Sequence, residues 1–355
     1  MGLRRLQVTD LRCLQAVALE LDPHYTLISG PNGSGKTSVL EAIYVLGRGR
    51  SFRTHRAARL IRTGCERFVV FGEVETSAGT LALGIEGSAE RLRARVAGRD
   101  VASVAELASH FPVQIIDPDI HQLIEMGPAS RRRLIDWGVF HVEPSFLIAW
   151  QRYRQTLAQR NAALRQRHSP QAIAAWDPDL VRTGDEIHDA RLRYVSRLET
   201  VAQPVVDRML GMKLELRYRS GWPAELTFDE ALRMQAASDR ERGMTQVGPH
   251  RAELVVRVDG ALARDQVSRG QQKLLAASLA IAQLGLLESL SAVQPTLLLD
   301  DPAAELDAQH LAGLIREVRA LRAQLIVTTL ETHFNALGDP GRHFLLHDGI
   351  VEPGR

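Results

Sequence analysis

The spacing of hydrophobic and polar residues changes along the chain and predicts its elements in order. Alternation over residues 3–28 indicates an antiparallel strand pair, followed by a short buried strand at His24–Ser29. A glycine-rich turn and a helix from about Gly35 to Leu46 come next. Phe68–Glu75 and Thr80–Glu86 are again predicted strands, and Val113–Asp117 is another short apolar run.

The middle of the chain has a helical spacing, from about residue 118 to residue 203. Beyond it, the pattern predicts strands and helices in alternation. The predicted strands are Leu214–Tyr218, Leu254–Val258, Thr296–Asp300 and Gln324–Thr329, and the helices are Gln271–Leu290 and Ala308–Ala320. This order predicts an α/β domain built from both chain ends (1–113 and 245–355) with an inserted, mainly helical lobe (114–244).

Composition narrows the class of protein. The 355 residues are 45% hydrophobic and 24% charged, with a net charge of +2, which excludes wholesale disorder and a polycation. The two cysteines cannot form a disulfide framework or a four-cysteine zinc site, so we expect reduced thiols. No signal peptide or membrane span is expected, since the apolar run Leu274–Leu287 is too short, and we therefore expect a soluble, cytoplasmic protein.

The strongest motif is a phosphate loop. Residues 30–37, GPNGSGKT, fit the pattern G-x-x-x-x-G-K-[ST] and lie between a predicted strand and a helix. Backbone N–H groups and the helix N-terminus favour phosphate oxygens, Lys36 is expected to reach the β- and γ-phosphates, and Thr37 to bind Mg²⁺. The predicted nucleotide-binding residues are Gly30, Pro31, Asn32, Gly33, Ser34, Gly35, Lys36, Thr37 and Ser38.

A second motif is a buried strand that ends in two carboxylates, Asp300 and Asp301. Carboxylate oxygens suit Mg²⁺ and the orientation of an attacking water. Asp300 is the predicted metal ligand, and Asp301 is the predicted general base.

A third motif, Ser268-Arg-Gly-Gln271, precedes that strand by some 27 residues. Ser268 is expected to cap the following helix, and the same geometry presents a hydroxyl and N–H groups to a phosphate. An ordinary helix cap is the alternative interpretation. The segment Ala304-Glu305-Leu306-Asp307 follows the acidic strand.

Basic residues are concentrated in a few places. Only three of the 44 Lys and Arg residues are lysines (36, 213 and 273), and residues 48–67 hold seven arginines against the single acid Glu66. We call residues 48–67 the arginine segment. Such a cluster can bind DNA phosphates, through Arg48, Arg50, Arg53 and Arg56, or form a solvated face.

Two further basic clusters leave their role open. Arg131–Arg133 can bind DNA, or one of them or Asp136 can hold the helical lobe together. His250 and Arg251 can line the nucleotide pocket or form a turn before a strand. No base-reading module is apparent and aromatics are only 5%, so DNA contact is expected to be mainly to the backbone.

Together, the motifs resemble those of the ATP-binding-cassette (ABC) ATPases and, within them, the SMC-like DNA-repair branch. The resemblance implies ATP and Mg²⁺ as cofactors and a homodimer in which Ser268, Gly270 and Gln271 of one subunit contact the ATP of the other. It also implies that Glu305 and Asp307 form the D-loop and that Gln114 senses the metal and γ-phosphate. Asp301 stands where the family has glutamate, which suggests slow hydrolysis. Thr328, Thr329 or His333 is left open as the switch residue.

A closer resemblance, over essentially the whole chain, is to the RecF family. It rests on six segments: residues 30–53, 114–141, RNAALR (160–165), VGPHRAEL (247–254), SRGQQKLL (268–275) and LLLDDPAAELD (297–307). The family often has an Arg-Asp-Asp-like run where this chain has Arg251-Ala252-Glu253. The resemblance implies ATP-dependent binding to double-stranded or gapped DNA, weak DNA-stimulated ATPase activity, and action with RecR and RecO in loading RecA at gaps. Recombinational repair, replication restart and the SOS response follow from that role.

Three alternatives fit less well. A transporter ATPase would need a membrane partner, and an SMC protein would need long coiled-coil arms, for which the inserted lobe is too short. A cassette-type nuclease would carry a further acidic domain, whereas some 48 residues follow Asp307.

Overall fold

The structure, a computed structural model, describes residues 2–101, 103–291, 293–304, 306–330 and 334–354. Its strands are β1 (Gly2–Leu11), β2 (Leu14–Glu20), β3 (Tyr25–Ser29), β4 (Arg67–Thr76), β5 (Gly79–Ser88), β6 (Leu92–Val96), β7 (Arg99–Asp100), β8 (Val113–Ile116), β9 (Leu214–Arg219), β10 (Glu253–Val258), β11 (Ala261–Leu262), β12 (Thr296–Asp300), β13 (Gln324–Thr329), β14 (Arg342–His347) and β15 (Ile350–Pro353). Its helices are α1 (Lys36–Arg48), α2 (Val104–His110), α3 (Gln122–Glu125), α4 (Pro128–Val142), α5 (Phe146–Arg165), α6 (Pro170–Ala174), α7 (Asp177–Leu210), α8 (Phe228–Met234), α9 (Ala236–Arg242), α10 (Ala263–Gln266), α11 (Arg269–Leu290) and α12 (Ala308–Arg319).

The chain forms two compact units. The first unit comprises residues 1–120 and 276–355, and the second comprises residues 121–275. In the first unit, one sheet has the order β15-β14-β3-β13-β12-β8, and its strands are parallel except for β15. Strands β3, β12 and β13 are buried along their whole length, which explains the apolar residues at their centres, Leu27–Ile28, Leu297–Leu299 and Leu325–Val327.

The second sheet of the first unit is antiparallel, in the order β2-β1-β4-β5-β6-β7. Helix α1 contributes to the core shared by both sheets, where Ile43 clusters with Leu6 and Phe68 of the antiparallel sheet and Leu298 of the parallel one. Because α1 is apolar on nearly all sides, burial on both faces is the arrangement that its sequence favours.

The second unit is mainly helical. Its longest helices, α5 and α7, contact each other, and α7 also contacts α4 and β9. A three-stranded antiparallel sheet, in the order β11-β10-β9, completes this unit.

The predicted domain boundaries differ from these units. The sequence pattern predicts residues 114–120 in the helical lobe and residues 245–275 in the α/β domain, whereas the structure groups them the other way. Strand pairing explains both differences. Residues 113–116 form β8, which pairs with β12, and β10 pairs along its length with β9.

Helix α11 is strongly apolar. Among the described residues it is the one helix that is long and apolar enough to cross a membrane, and most of it is buried inside the protein. Leu275, Leu279 and Leu284 have no exposed surface, so α11 contributes to the core of the chain.

Candidate nucleotide site and nucleic-acid interface

The predicted phosphate loop joins the end of β3 to the start of α1. Gly30, Gly33 and Gly35 have φ angles of 155°, 80° and 108°. L-residues with side chains rarely adopt such angles, and a Cβ atom on Gly30 would lie 2.2 Å from the carbonyl oxygen of Leu346. The loop therefore depends on its glycines, and it presents the N-terminus of a 13-residue helix to its interior.

Lys36 lies at the base of this loop. Its Nζ donates hydrogen bonds to the carbonyl oxygens of Gly30, at 2.7 Å, and Pro31, at 2.9 Å. Burial lowers the pKa of Lys36, while the nearby carboxylates of Asp301 and Asp300 act in the opposite direction. A positive charge is thus held at the phosphate loop, beside the acidic strand.

Thr37 and Asp300 meet at the carboxyl edge of the parallel sheet. The Thr37 hydroxyl lies 3.1 and 3.0 Å from the two carboxylate oxygens of Asp300. Thr328, the residue opposite Asp300 on β13, donates its hydroxyl to Oδ1 at 2.7 Å. Two residues that are 263 positions apart in sequence are thereby joined, as a shared metal site requires.

Asp301 follows the last residue of β12 and adopts a φ of 47°. Its backbone N–H donates to the carbonyl oxygen of Thr328 at 3.1 Å. This non-glycine residue is held in the left-handed region at the edge of the site, where backbone strain often accompanies function.

A third carboxylate at this edge was missed by the sequence analysis. Asp117 follows β8, the strand next to β12, and is half-buried. Burial, together with the nearby carboxylates of Asp119 and Asp300, raises the pKa of Asp117 to about 6. The signal was present in the sequence, because Asp117 ends an apolar run just as Asp300 does.

The donor atoms fit the nucleotide and metal that the motifs imply. The hydroxyl of Ser34 is buried inside the phosphate loop and has no hydrogen-bond partner among the described residues. Pro31, Asn32 and Gly33 are exposed along the loop, and the Ser38 hydroxyl lies 3.6 Å from the Cys13 sulfur. No group of three His, Cys, Asp or Glu suited to a metal occurs in the described part of the chain. That finding is compatible with Mg²⁺, which commonly uses one or two protein oxygens together with phosphates and water.

Gln114 is not brought to this edge. On β8 it pairs with Leu297, three residues before Asp300, which corresponds to about 10 Å along the strand. Its side-chain amide donates to Oε1 of Gln283 at 2.9 Å inside the core of the first unit. The predicted contact of Gln114 with metal and γ-phosphate is therefore not supported by the structure.

The residues of the third motif form a helix cap. The Ser268 hydroxyl accepts from the N–H of Gln271 at 3.3 Å, and the Gln271 side chain accepts from the N–H of Ser268 at 2.9 Å. Ser268 and Gly270 are exposed in the second unit. The predicted cap is thus present, and its hydroxyl lies at the surface.

Asp307 also caps a helix, α12, by accepting from the N–H of His310 at 3.0 Å. This hydrogen bond lowers the pKa of the Asp307 carboxyl. Glu305 and His333, which the sequence analysis also considered, lie outside the described residues.

Most side chains of the arginine segment are exposed, among them Arg50, Arg53, Arg56 and Arg59. Arg50, Arg56 and Arg59 have no side-chain hydrogen bond or ion pair with any described residue. Arg48 is half-buried, with its guanidinium 5.4 Å from the centre of the Tyr44 ring. The segment therefore presents several cations to solvent. Arg48, one of the predicted DNA-binding residues, is less exposed than these arginines.

Glu41 anchors this segment. It is fully buried on α1, and both of its oxygens accept from the Arg12 guanidinium at 2.8 Å. The Ser51 hydroxyl also donates to it, and Arg53 forms an ion pair with it at 3.8 Å. Helix α1, which begins at the phosphate loop, therefore also fixes the start of the arginine segment.

The arginine cluster at residues 131–133 has mixed roles. Arg131 is buried, forms a two-point ion pair with Glu253 at 2.9 and 3.0 Å, and donates to carbonyl oxygens at the end of α3. Arg132 donates to the carbonyl oxygen of Ala252 at 2.6 Å, while Arg133 is exposed. Arg131 is thus structural, as one of the open alternatives proposed.

Asp136 and His250 are structural too. Asp136 accepts from Arg191 at 2.8 and 3.1 Å, joining α4 to α7. His250 lies between the hydroxyl of Tyr153, at 2.7 Å, and the carbonyl oxygen of Thr245, at 3.2 Å. All of these residues belong to the second unit.

The strand order, the phosphate loop and the acidic strand that meets it define an ABC-type ATPase head of the SMC-like kind. A family model described as the RecF/RecN/SMC N-terminal domain matches residues 2–340. Two solved Smc head structures with TM-scores of 0.60 and 0.58 share 16% and 17% sequence identity with the chain and support the same fold.

Curated relatives narrow this class. The RecF proteins of Pseudomonas putida strain GB-1 and Yersinia enterocolitica are 41% and 38% identical, over 93% and 99% of this chain and 91% and 99% of their own. A structure of the recombination mediator protein RecF with ATP, from the RecFOR pathway, has a TM-score of 0.90 at 26% identity, covering 99% of this chain and 97% of that one. The chain belongs to the RecF family of DNA replication and repair proteins.

Proposed function

We propose that this protein binds ATP and DNA, dimerises on ATP, and helps RecR and RecO to load RecA at single-stranded gaps. The observation that carries the proposal is the meeting of Thr37 and Asp300 beside Lys36, in a chain whose family includes a structure with ATP. The other parts of the proposal extend from this site to the arginine segment and to the surface that carries Ser268.

ATP would be held by the phosphate loop, residues 30–38. Converging backbone N–H groups and Lys36 suit the β- and γ-phosphates, and the partnerless hydroxyl of Ser34 offers one more hydrogen bond. Lys36 already turns its ammonium toward the carbonyl oxygens of the loop, so its charge stands where a triphosphate would lie.

Mg²⁺ would be held by the Thr37 hydroxyl and Asp300. Both are hard oxygen donors, and the hydrogen bond from Thr328 orients the Asp300 carboxylate. When bound, the ion supplies positive charge against the phosphates. Asp117 adds a third carboxylate near Asp300 and strengthens the local negative potential.

Hydrolysis is proposed to be slow and stimulated by DNA. Asp301 stands at the edge of the site and would accept a proton from an attacking water. Its side chain is shorter than the glutamate of many ABC ATPases and reaches less far, so ATP would be hydrolysed slowly. ATP binding and hydrolysis would then set the lifetime of the DNA-bound form.

DNA is proposed to bind the arginine segment through phosphate contacts. Arg50, Arg53 and Arg56 are exposed, and Glu41 fixes the segment to the same helix that begins at the phosphate loop. Arginine clusters without base-reading groups favour affinity for duplex and gapped DNA of any sequence. A direct path through α1 would link the nucleotide and DNA sites.

The dimer is proposed to complete each ATP site in trans. Ser268, Gly270 and Gln271 of one subunit would face the ATP of the other, and the D-loop residue Asp307 would lie near the dimer interface. The exposure of Ser268 and its position at a helix N-terminus support this assignment. A cytoplasmic location follows from action on DNA.

The test is the size of the protein in solution with ATP, ADP or no nucleotide, each with and without gapped DNA. We expect dimers with ATP only, a larger share of dimer for Asp301→Asn because hydrolysis is slowed, and monomers for Ser268→Arg with normal ATP binding. A Ser268→Arg variant that dimerises on ATP would contradict the trans assignment. A wild-type protein that remains monomeric with ATP would contradict the dimer itself.

Another SMC-like cassette ATPase or a cassette-type nuclease is the alternative function. Incubation of DNA with the protein, ATP and Mg²⁺ separates the two, because the proposed function leaves the DNA uncut. Cleaved DNA in the wild type that disappears in Asp300→Asn would favour the nuclease.

A further inference from the structure

Three segments of the second unit that the proposed function does not use meet at one cavity. They are residues from 126–133, Asn161 of RNAALR, and residues from 244–251 in the VGPHR region, and they line an open cavity of about 550 Å³. We call this space the arginine cavity. Segments that are up to 125 positions apart in sequence are thus gathered around a space large enough for a nucleotide-sized ligand.

The charge of the cavity has one sign. Arg132, Arg133 and Arg251 line it, and no carboxylate is among the described residues that do so. Burial lowers the pKa of Arg132, the guanidinium groups of Arg191 and Arg251 lower it further, and the carboxylates of Glu253 and Asp136, which do not line the cavity, act in the opposite direction. The Arg251 side chain has no hydrogen bond or ion pair with any residue that the structure describes. An anion in this space would offset the repulsion among the guanidinium groups.

The walls of the cavity are held by contacts that do not need a ligand. Arg191 donates to the carbonyl oxygen of Pro249 at 2.7 Å, and Asn161 accepts from the N–H and the hydroxyl of Thr245, both at 2.8 Å. Arg132 is fixed by its hydrogen bond to Ala252. The cavity is therefore preformed, which reduces the entropic cost of binding.

His250 adds no charge to the cavity. Burial lowers its pKa to about 4, so its imidazole is neutral at pH 7. Both of its ring nitrogens already have partners, Tyr153 and Thr245. The charge of the cavity lining therefore comes from its three arginines.

We infer that the arginine cavity binds a phosphate monoester on a nucleotide-sized ligand. A phosphate monoester carries a charge of about −1.5 to −2 at pH 7, more than one carboxylate or phosphodiester, and so matches a site with three cations. Guanidinium groups bind phosphate oxygens through paired hydrogen bonds. The volume exceeds what a phosphate group alone would fill, and it leaves room for a sugar and base beside Met126 and Met244. The ligand is either a free mononucleotide or the phosphorylated end of a nucleic-acid strand.

The test uses full-length protein carrying Lys36→Met, so that the phosphate loop contributes little to binding. Calorimetry measures the binding of AMP, adenosine, and one oligonucleotide with and without a 5′-phosphate. We expect AMP or the phosphorylated oligonucleotide to bind at least about tenfold more tightly than its partner without phosphate, because charge-assisted hydrogen bonds are lost without it. AMP binding identifies a free nucleotide as the ligand, and a preference confined to the oligonucleotide identifies a strand end.

Variants locate this binding. Arg133→Ala and Arg251→Ala should each weaken it about tenfold, whereas Arg240→Ala, at an exposed arginine of α9 outside the cavity, should leave it unchanged. Arg251→Lys keeps the charge and should recover part of the affinity. Equal binding with and without phosphate would overturn the proposal. So would phosphate-dependent binding that is indifferent to Arg133 and Arg251, or tighter binding of an aspartate-rich peptide at the same arginines.

Discussion

Two sets of arginines in this protein share one chemistry and differ in their surroundings. Arg131, Arg160 and Arg191 of the second unit are buried, and carboxylates and carbonyl oxygens satisfy them. Arg50 and Arg56 of the arginine segment are exposed, without a side-chain partner among the described residues. The first set stabilises a fold, and the second is available to a polyanion. The number of arginines in a stretch of sequence does not distinguish these two roles; burial and partners do.

The largest effect is expected for Arg160, which is 1% exposed and donates to Asp177, Asp239 and Thr245. Arg160→Ala would leave the fully buried carboxylate of Asp239 without its cation and should lower the free energy of unfolding by about 3–5 kcal/mol. Urea denaturation measures this change. Arg59→Ala in the arginine segment is the control and should change it by less than about 0.5 kcal/mol. Similar losses in both variants would remove the distinction between the two sets.

Lys36 belongs to neither set of arginines. It is buried, and its position at the phosphate loop suits ligand binding rather than stabilisation of the fold. Lys36→Arg should reduce ATP hydrolysis about a hundredfold or more, or roughly 3–4 kcal/mol of transition-state stabilisation, because a planar guanidinium cannot replace the compact ammonium in the loop. A phosphate-release assay measures the rate. Lys213→Arg, at an exposed lysine, should hydrolyse ATP as the wild type does. Near-normal hydrolysis by Lys36→Arg would refute the assignment of the phosphate loop.

The second unit also contains a half-buried neutral group, His250. Its folded pKa of about 4 lies below the ordinary value of 6.5, so the unfolded chain takes up a proton first as the pH falls. Stability should therefore decline from about pH 6.5 to pH 4, by about 3 kcal/mol in total from this group.

Denaturation at a series of pH values tests this decline. His250→Gln should flatten the pH dependence over this range, and His168→Gln, at an exposed histidine, should not. If stability still declines as steeply with falling pH in His250→Gln, the His250 imidazole is not the source of the decline.

The smallest effect on the free energy of unfolding is expected for the exposed arginines, Arg50 and Arg56. Arg50→Ala combined with Arg56→Ala should leave the free energy of unfolding nearly unchanged. Each lost phosphate contact makes the slope of log K against log salt less steep by about 0.9, so the double variant should lose nearly 2 units of slope. DNA titrations at several salt concentrations measure it. An unchanged slope would place the DNA surface elsewhere, with Arg133 the next residue to test.

The parts of the site that depend on local geometry are predictable from the sequence. The phosphate loop needs glycines at positions with positive φ, and Asp300 follows the apolar run Leu297–Leu299, so both carry recognisable patterns. The register of neighbouring strands, and the pairing of strands far apart in sequence, leave no local pattern in the sequence. Gln114 was predicted at the site because nothing local shows that it lies three residues short of the sheet edge. Asp117 was missed because its proximity to Asp300 depends on which strands are neighbours.

The same dependence on long-range pairing explains which parts of the fold were predicted from the sequence and which were not. Most predicted strands and helices of the first unit are present within a few residues, whereas β6, β7, α2, β14 and β15 were not predicted. The predicted domain bounds differ from the observed units because β10 pairs with β9, which lies more than 30 residues earlier in the sequence. Arg131 and Glu253 are 122 positions apart, so no local pattern could assign Arg131 to the buried set.

The most direct test of the proposed function is the affinity for duplex DNA at one salt concentration with ATP, with ADP and without nucleotide. If the nucleotide at the phosphate loop controls the arginine segment through α1 and the dimer, DNA should bind more tightly with ATP than in either other state. Lys36→Met should abolish that difference, while the residual affinity remains. Equal affinity in all three states of the wild type would contradict the account, because ATP would then have no control over DNA binding.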